Sequence, residues 1–204
     1  MHTPFTSHAL RIAGAAVAAL IAGTAQAALQ DRDLDGNGVT DAFYDTDLDI
    51  TWLRDANANG LMQWNVAVSW AANLGFAGFA DWRLPQAEFV CHPVFGCTGS
   101  SEMGHLRAVE LGNPPGGSMS NAGDFVNLQL ALYWSGTDFP SVSPTAWALD
   151  MRDGGEGTVP LDAALYAMAV RDGDVPAIPE PGTYALMLVG LAGLTLWRRP
   201  VAPG

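Results

Sequence analysis

Asp81-Trp82-Arg83-Leu84-Pro85 is the stretch on which the reading of the fold turns. Two bulky apolar residues flank an arginine, and a proline follows. Proline ends the short strand and presets φ for the first turn of a helix expected at Gln86 to Val90. Arg83 is expected to reach a carboxylate or a carbonyl across the fold, as a structural residue and not a ligand-binding one.

Upstream, Trp64, Ala67, Val68, Ala71 and Leu74 recur at steps of three and four, which predicts an amphipathic helix over Gln63 to Leu74. Gly75 stands where a helix C-terminus favours a left-handed residue. Trp64 and Trp70 could form a sugar-stacking platform, but at that spacing Trp64 belongs to the core; an exposed patch of Trp70, Phe76 and Phe79 would favour a binding protein, and burial of all three a structural one. Earlier still, Phe43 to Thr46 and Ile50 to Leu53 are β-prone pieces around Asp47-Leu48-Asp49, an opening hairpin.

Before that hairpin, Asp31, Asp33, Asp35, Asn37 and Asp41 alternate about Gly36 and Gly38. Alternate carboxylates in a tight glycine loop suit calcium, a hard cation that takes oxygen ligands. A helix-loop-helix calcium site begun at Asp31 or Asp33 would need its closing carboxylate at Ala42 or Tyr44, so neither register fits. A solvated acidic linker is the competing reading of residues 28–43.

Downstream, Cys91 and Cys97 suit a disulfide closing a small loop in an oxidising compartment. A metal pair with His92 or His105 is the alternative, without a recognisable zinc spacing. Ser101 to Asn113 reads as a second helix capped at Ser100 or Ser101 and ended by Gly112-Asn113. It carries Glu102, His105 and Glu110, with His105 read as solvated or hydrogen-bonded. Strands are expected at Leu130 to Ser135, Thr145 to Met151 and Leu165 to Arg171, with a glycine turn at Gly154 to Gly157.

Trp52 in Ile50-Thr51-Trp52-Leu53-Arg54-Asp55, Trp64 with Asn65-Val66-Ala67, Trp70-Ala71, the Asp81 to Pro85 stretch, Tyr133-Trp134-Ser135-Gly136, Ala146-Trp147 and Ala169-Val170-Arg171 together resemble the Lcl C-terminal domain family. The resemblance implies an α+β single domain over residues 44–175, similar to the C-type-lectin-like and formylglycine-generating-enzyme folds. Gln86 and Gln63 stand where that pattern carries a threonine and a small hydroxyl cap, which weakens helix capping. Neither the calcium-dependent sugar loop of lectins nor the copper-binding cysteine pair of the formylglycine enzymes has matching residues here.

Both ends read as targeting segments. Residues 1–27 form a signal peptide, with Ala25 and Ala27 framing the signal peptidase site. Residues 176–204 resemble the PEP-CTERM sorting tail: Pro179-Glu180-Pro181, an apolar run over 183–197 read as a membrane helix, and Arg198-Arg199. Its implied partner is exosortase, and its implied address is the inner membrane followed by the envelope or the extracellular matrix. The run is about 15 residues, short of the roughly 20 that span a bilayer comfortably.

The formal charge is −12, and the chain's 9 basic residues are all arginines. Losing both ends removes Arg11, Arg198 and Arg199 and makes the body more acidic still. Nucleic acid, whose binding relies on cationic residues, is a poor partner. No nucleophile elbow, phosphate-cradling glycine motif or two-histidine metalloprotease helix is present. The leading expectation is a non-catalytic exported protein associating with exopolysaccharide in a biofilm-type matrix. A purely structural envelope protein without a ligand is the second reading, and a hydrolase-type enzyme the third.

Overall fold

In the computed structural model, residues 29–92, 96–139, 144–175, 188, 189 and 191 are described, with backbone alone over the described part of 89–99. The first sheet is fully antiparallel in the order β1-β2-β3-β9. Its strands are β1 (Leu29–Arg32), β2 (Ala42–Asp45), β3 (Ile50–Leu53) and β9 (Val170–Asp172). The expected hairpin is β2-β3, pairing Phe43 with Trp52 and Asp45 with Ile50. Residues 29–32 are thus a strand of the sheet and not a free acidic linker.

A second sheet runs β6-β7-β8, with β6 (Leu132–Asp138), β7 (Thr145–Asp150) and β8 (Glu156–Pro160). Strand β8 was not anticipated: the glycines at 154–157 suggested only a turn, and the turn lies earlier. Between the sheets, residues 165–170 hydrogen-bond in both directions. The Trp134 amide donates to the Tyr166 carbonyl at 2.9 Å, and the Arg83 amide to the Val170 carbonyl at 2.7 Å.

Helix α1 (Trp64–Ala72) occupies the expected place, with Gln63 as an N-cap that makes no side-chain cap bond. Its left-handed end is not at Gly75. The positive φ values fall at Ala77 and Gly78, in a two-residue turn that pairs Phe76 with Phe79. The helix expected at 86–90 is a strand instead, β4 (Ala87–His92), antiparallel to β5 (Gly96–Ser101). The corner explains this: Gln86 donates and accepts nothing helical, and its Oε1 accepts from the Thr137 hydroxyl at 2.9 Å while the Ala87 amide donates to Thr137 Oγ1 at 3.0 Å. Strand pairing sets Cys91 opposite Cys97. Their side chains, and hence the disulfide, lie outside the described residues.

The second helix is shorter than its sequence suggested. Helix α2 (Glu102–His105) is capped by Ser101, whose Oγ accepts from the Gly104 amide, and it passes into a π-helical turn over Leu106–Glu110. The α+β expectation therefore survives only in part, because the described chain is mostly β with short helical pieces. The C-terminal membrane helix is corrected outright. Among the described residues no helix is long and apolar enough to cross a membrane. Within 183–197 only 188, 189 and 191 are described, helical and exposed. The run's brevity and its Gly190 and Gly193 give the physical reason. Residues 1–27, with Ala25 and Ala27, lie outside the described residues.

Three apolar clusters fill the domain, around Trp52, Trp134 and Trp82. An arginine closes one side of it. Arg107 is 1% exposed, and its guanidinium donates to the carbonyls of Asn113 (2.6 Å), Pro114 (2.9 Å), Gly117 (2.5 Å), Met151 (3.3 Å) and Arg152 (3.3 Å). The proline- and glycine-rich loop is thereby fastened to the end of β7. Gly154 has φ +78°, and a Cβ there would meet Arg107 Nη1 at 2.8 Å, so only glycine fits. Replacing Arg107 with methionine keeps the apolar stem and leaves buried carbonyls unpaired, at about 1–3 kcal/mol for each group left unsatisfied. Arg107→Met is expected to lower stability by about 3 kcal/mol in urea unfolding; a midpoint equal to wild type would contradict this anchor.

Candidate functional site

The Asp-rich loop after β1 is ordered by its own amides. Asp33 Oδ1 accepts from the amides of Gly36 (2.8 Å) and Asn37 (3.2 Å), and Oδ2 from Gly38 (2.7 Å). The Leu34 amide donates to Asp41 Oδ2 at 2.9 Å, and Leu34 itself is buried. Gly36 and Gly38 both take positive φ, which lets the loop wrap round Asp33. Of the five expected calcium ligands, Asp33, Asp35 and Asp41 bring a carboxylate oxygen within 4.8 Å of one another. Asp31 instead accepts from the Thr40 hydroxyl, and Asn37 Oδ1 from the Val39 amide.

The tryptophans of the expected motif are mainly structural. Trp52, Trp82 and Trp134 are buried with their indole N–H groups paired, to Asp45 Oδ2 (3.4 Å), the Phe79 carbonyl (3.3 Å) and the Met62 carbonyl (2.8 Å). Trp147 is buried in β7, and Leu84 and Pro85 are buried at the corner. Trp64 is half-buried and donates to the Ser135 carbonyl at 2.9 Å. Arg171 pairs with Asp81 at 3.0 Å and lies over the Phe79 ring. Arg83 forms a two-pronged pair with Glu102, both contacts 2.8 Å, and a second pair with Asp172 at 2.6 Å. Those carboxylates hold its guanidinium charged still more firmly than usual.

Trp70, Phe76 and Phe79 are half-buried, each leaning on the Trp82 cluster while keeping part of its surface open. Beside Phe76 lies a cleft of about 240 Å³ lined by Asp41, Arg54, Asp55, Leu74, Phe76 and Val126. The Arg54 guanidinium is anchored there on the carbonyls of Thr40 and Asp124.

One grouping was not visible in the sequence. The π turn is closed by the Leu111 amide donating to the Leu106 carbonyl at 2.9 Å. In a regular α-helix His105 and Glu110 would point about 140° apart; the wider turn sets His105 Nε2 3.4 Å from Glu110 Oε1. Both face Asp45 at the end of β2, and donor atoms of all three lie within 4.8 Å of one another. Burial, reinforced by the charge of Asp45, raises the Glu110 carboxyl above its ordinary range, while His105 opposes the rise. A separate cavity of about 410 Å³ adjoins α2, where Ser101 Oγ is hydrogen-bonded to Glu156. Burial raises the Glu156 carboxyl.

Comparison with family models places this geometry. The model of the Lcl C-terminal domain matches residues 41–171, and the chain belongs to that family. The PEP-CTERM protein-sorting motif matches residues 177–199, which marks the chain as an exported protein sorted by exosortase. Pro179, Glu180, Pro181, Arg198 and Arg199 of that motif lie outside the described residues. Among curated proteins no match is found.

The Asp33 carboxyl titrates below its ordinary range because the Gly38 amide, with those of Gly36 and Asn37, favours its charged form against desolvation. A carboxylate so depressed contributes order fully above its unfolded pKa, about 3.9, and loses that contribution as pH falls through the lower folded value. The Gly36 and Gly38 amide resonances are therefore expected to hold steady from neutrality to about pH 4 and to move only in stronger acid. Movement between pH 5 and 7 would contradict the hydrogen-bonded loop.

Proposed function

We propose that the exported domain is a non-catalytic component of the envelope or extracellular matrix that associates with exopolysaccharide through its partly open aromatic face. The observation that carries this reading is the half-buried Phe76, which lines the cleft with Arg54, Asp41 and Asp55 and packs with Trp70 and Phe79 on the same Trp82 cluster. Sugar rings present apolar C–H faces to aromatic side chains and hydroxyl groups to carboxylate and guanidinium partners, and this face offers both. A fixed Arg54 adds to this, since an anchored donor loses little freedom on binding. Sorting by exosortase supports the setting, because it delivers the domain to where such polymers lie.

Asp33, Asp35 and Asp41 give the association a calcium-dependent version, with Asp41 shared between loop and cleft. The test is retention of the purified chain on exopolysaccharide from the producing cells, with and without calcium. The wild-type chain is expected to be retained, and Phe76→Ala, at a half-exposed ring, to lose retention several-fold while its melting curve stays cooperative. No retention under either condition would favour a structural protein without a ligand. Equal retention of the variant would move the binding face elsewhere.

A further inference from the structure

The Glu110 side chain is 1% exposed, yet among the described residues neither carboxylate oxygen has a hydrogen-bond partner; its charged neighbour is His105 at 3.4 Å, whose buried Nε2 is likewise without a hydrogen bond. Orphaned buried groups of this kind are rare, because an unpaired carboxylate in low dielectric is strongly penalised. Asp45, 0% exposed, adds a second buried carboxylate to the same pocket. The described arginines are engaged elsewhere: Arg83 with Glu102 and Asp172, Arg32 with Asp174, Arg152 with Asp150, Arg171 with Asp81, and Arg54 and Arg107 with carbonyls. The chain has no lysine, and among the described residues no side-chain cation other than His105 stands near this concentration of negative charge.

We propose that Asp45, His105 and Glu110 form a binding site for a divalent transition-metal ion of the zinc class. One imidazole nitrogen and two carboxylates make a mixed nitrogen and oxygen donor set, which suits zinc and its neighbours better than calcium or magnesium. The spacing fits. Two donors of one tetrahedral ion with bonds of about 2.1 Å stand about 3.4 Å apart, the separation already found between His105 Nε2 and Glu110 Oε1. Asp45 Oδ1 is committed to the amides of Asp47 and Leu48, which orients the carboxylate, while Oδ2 has only a long 3.4 Å contact to the Trp52 indole. Asp47 Oδ2 stands on the exposed side at 3.8 Å from His105 Nε2, outside the three-residue grouping, which leaves the fourth position of the ion to water. Bound there, the ion ties the β2-β3 turn to the π turn, two pieces of chain about 60 residues apart that no described ion pair with a guanidinium connects.

The experiment uses the full chain, stripped with chelator and titrated with zinc salt by calorimetry, and with cobalt salt in the visible spectrum. One equivalent is expected to bind, with a cobalt band characteristic of a low-coordinate nitrogen and oxygen site. Glu110→Gln and His105→Ala are each expected to weaken zinc binding at least tenfold, and Asp33→Asn in the acidic loop to leave it unchanged. Glu110→Gln also separates metal binding from misfolding. Removing one of the two buried carboxylate charges is expected to raise the metal-free melting temperature, and the rise that zinc gives to wild type to disappear. Absence of a zinc equivalent, or equal affinity in wild type and Glu110→Gln, overturns the site.

Discussion

The guanidinium of Arg83 sits where three parts of the chain meet, and the domain's arrangement depends on it. Its backbone pairs with Val170 in both directions, so the residue is held against β9 before its side chain does anything. The side chain then reaches Asp172 on that strand and Glu102 at the start of α2. Glu102 Oε2 also accepts from the Gln86 amide at 2.7 Å, and the Gly136 amide donates to the Pro85 carbonyl at 2.8 Å. The stretch from Asp81 to Gln86 thus touches the first sheet, the start of α2 and β6. Gly136 permits the last approach, since a Cβ there would stand 3.1 Å from the side-chain Nε2 of Gln86 and 3.3 Å from the Leu84 carbonyl oxygen. Arginine suits this role better than lysine because its planar fork meets one carboxylate with two parallel bonds and still serves a second.

An acidic chain without lysine must place each arginine economically, and the described ones fall into two kinds. Some neutralise carboxylates at strand ends, as Arg32 does with Asp174 and Arg171 with Asp81. Others, Arg107 and Arg54, spend their donors on loop carbonyls. Other carboxylates accept from hydroxyl groups, as Asp31 does from Thr40, or from amides in tight turns, as Asp33 and Asp45 do. Against that background Glu110, which has no hydrogen-bond partner among the described residues, is an exception, and its place beside a histidine gives the exception chemical content.

Much of this was legible where local pattern and tertiary context agree. The β2-β3 hairpin follows from β-prone runs around an Asp-rich turn, and α1 from the three- and four-residue recurrence of Trp64, Ala67 and Ala71. Arg83 between two buried apolar neighbours already announced a cross-fold contact. Where the two levels compete, the sequence misleads. Proline before Gln86 suggests a helix start, but hairpin pairing from Ala87↔Ser101 to His92↔Gly96 and the Thr137 contacts hold a strand there. The glycines near β8 hide a strand that exists only because β7 provides a partner. The apolar tail pattern suggests a membrane helix, which the described residues do not provide. The Asp45, His105 and Glu110 grouping could not be read at all: it needs a π turn, which no 3.6-residue periodicity signals, and a carboxylate about 60 residues away.

The central claim is that a charged clasp, and not apolar burial alone, joins the parts of this domain. A double-mutant cycle on Arg83→Ala and Glu102→Ala, read by urea unfolding, tests it most directly. A coupling of about 1.5–3 kcal/mol is predicted, as for hydrogen bonds between charged partners shielded from water. Effects that simply add, to within about 0.5 kcal/mol, would contradict it.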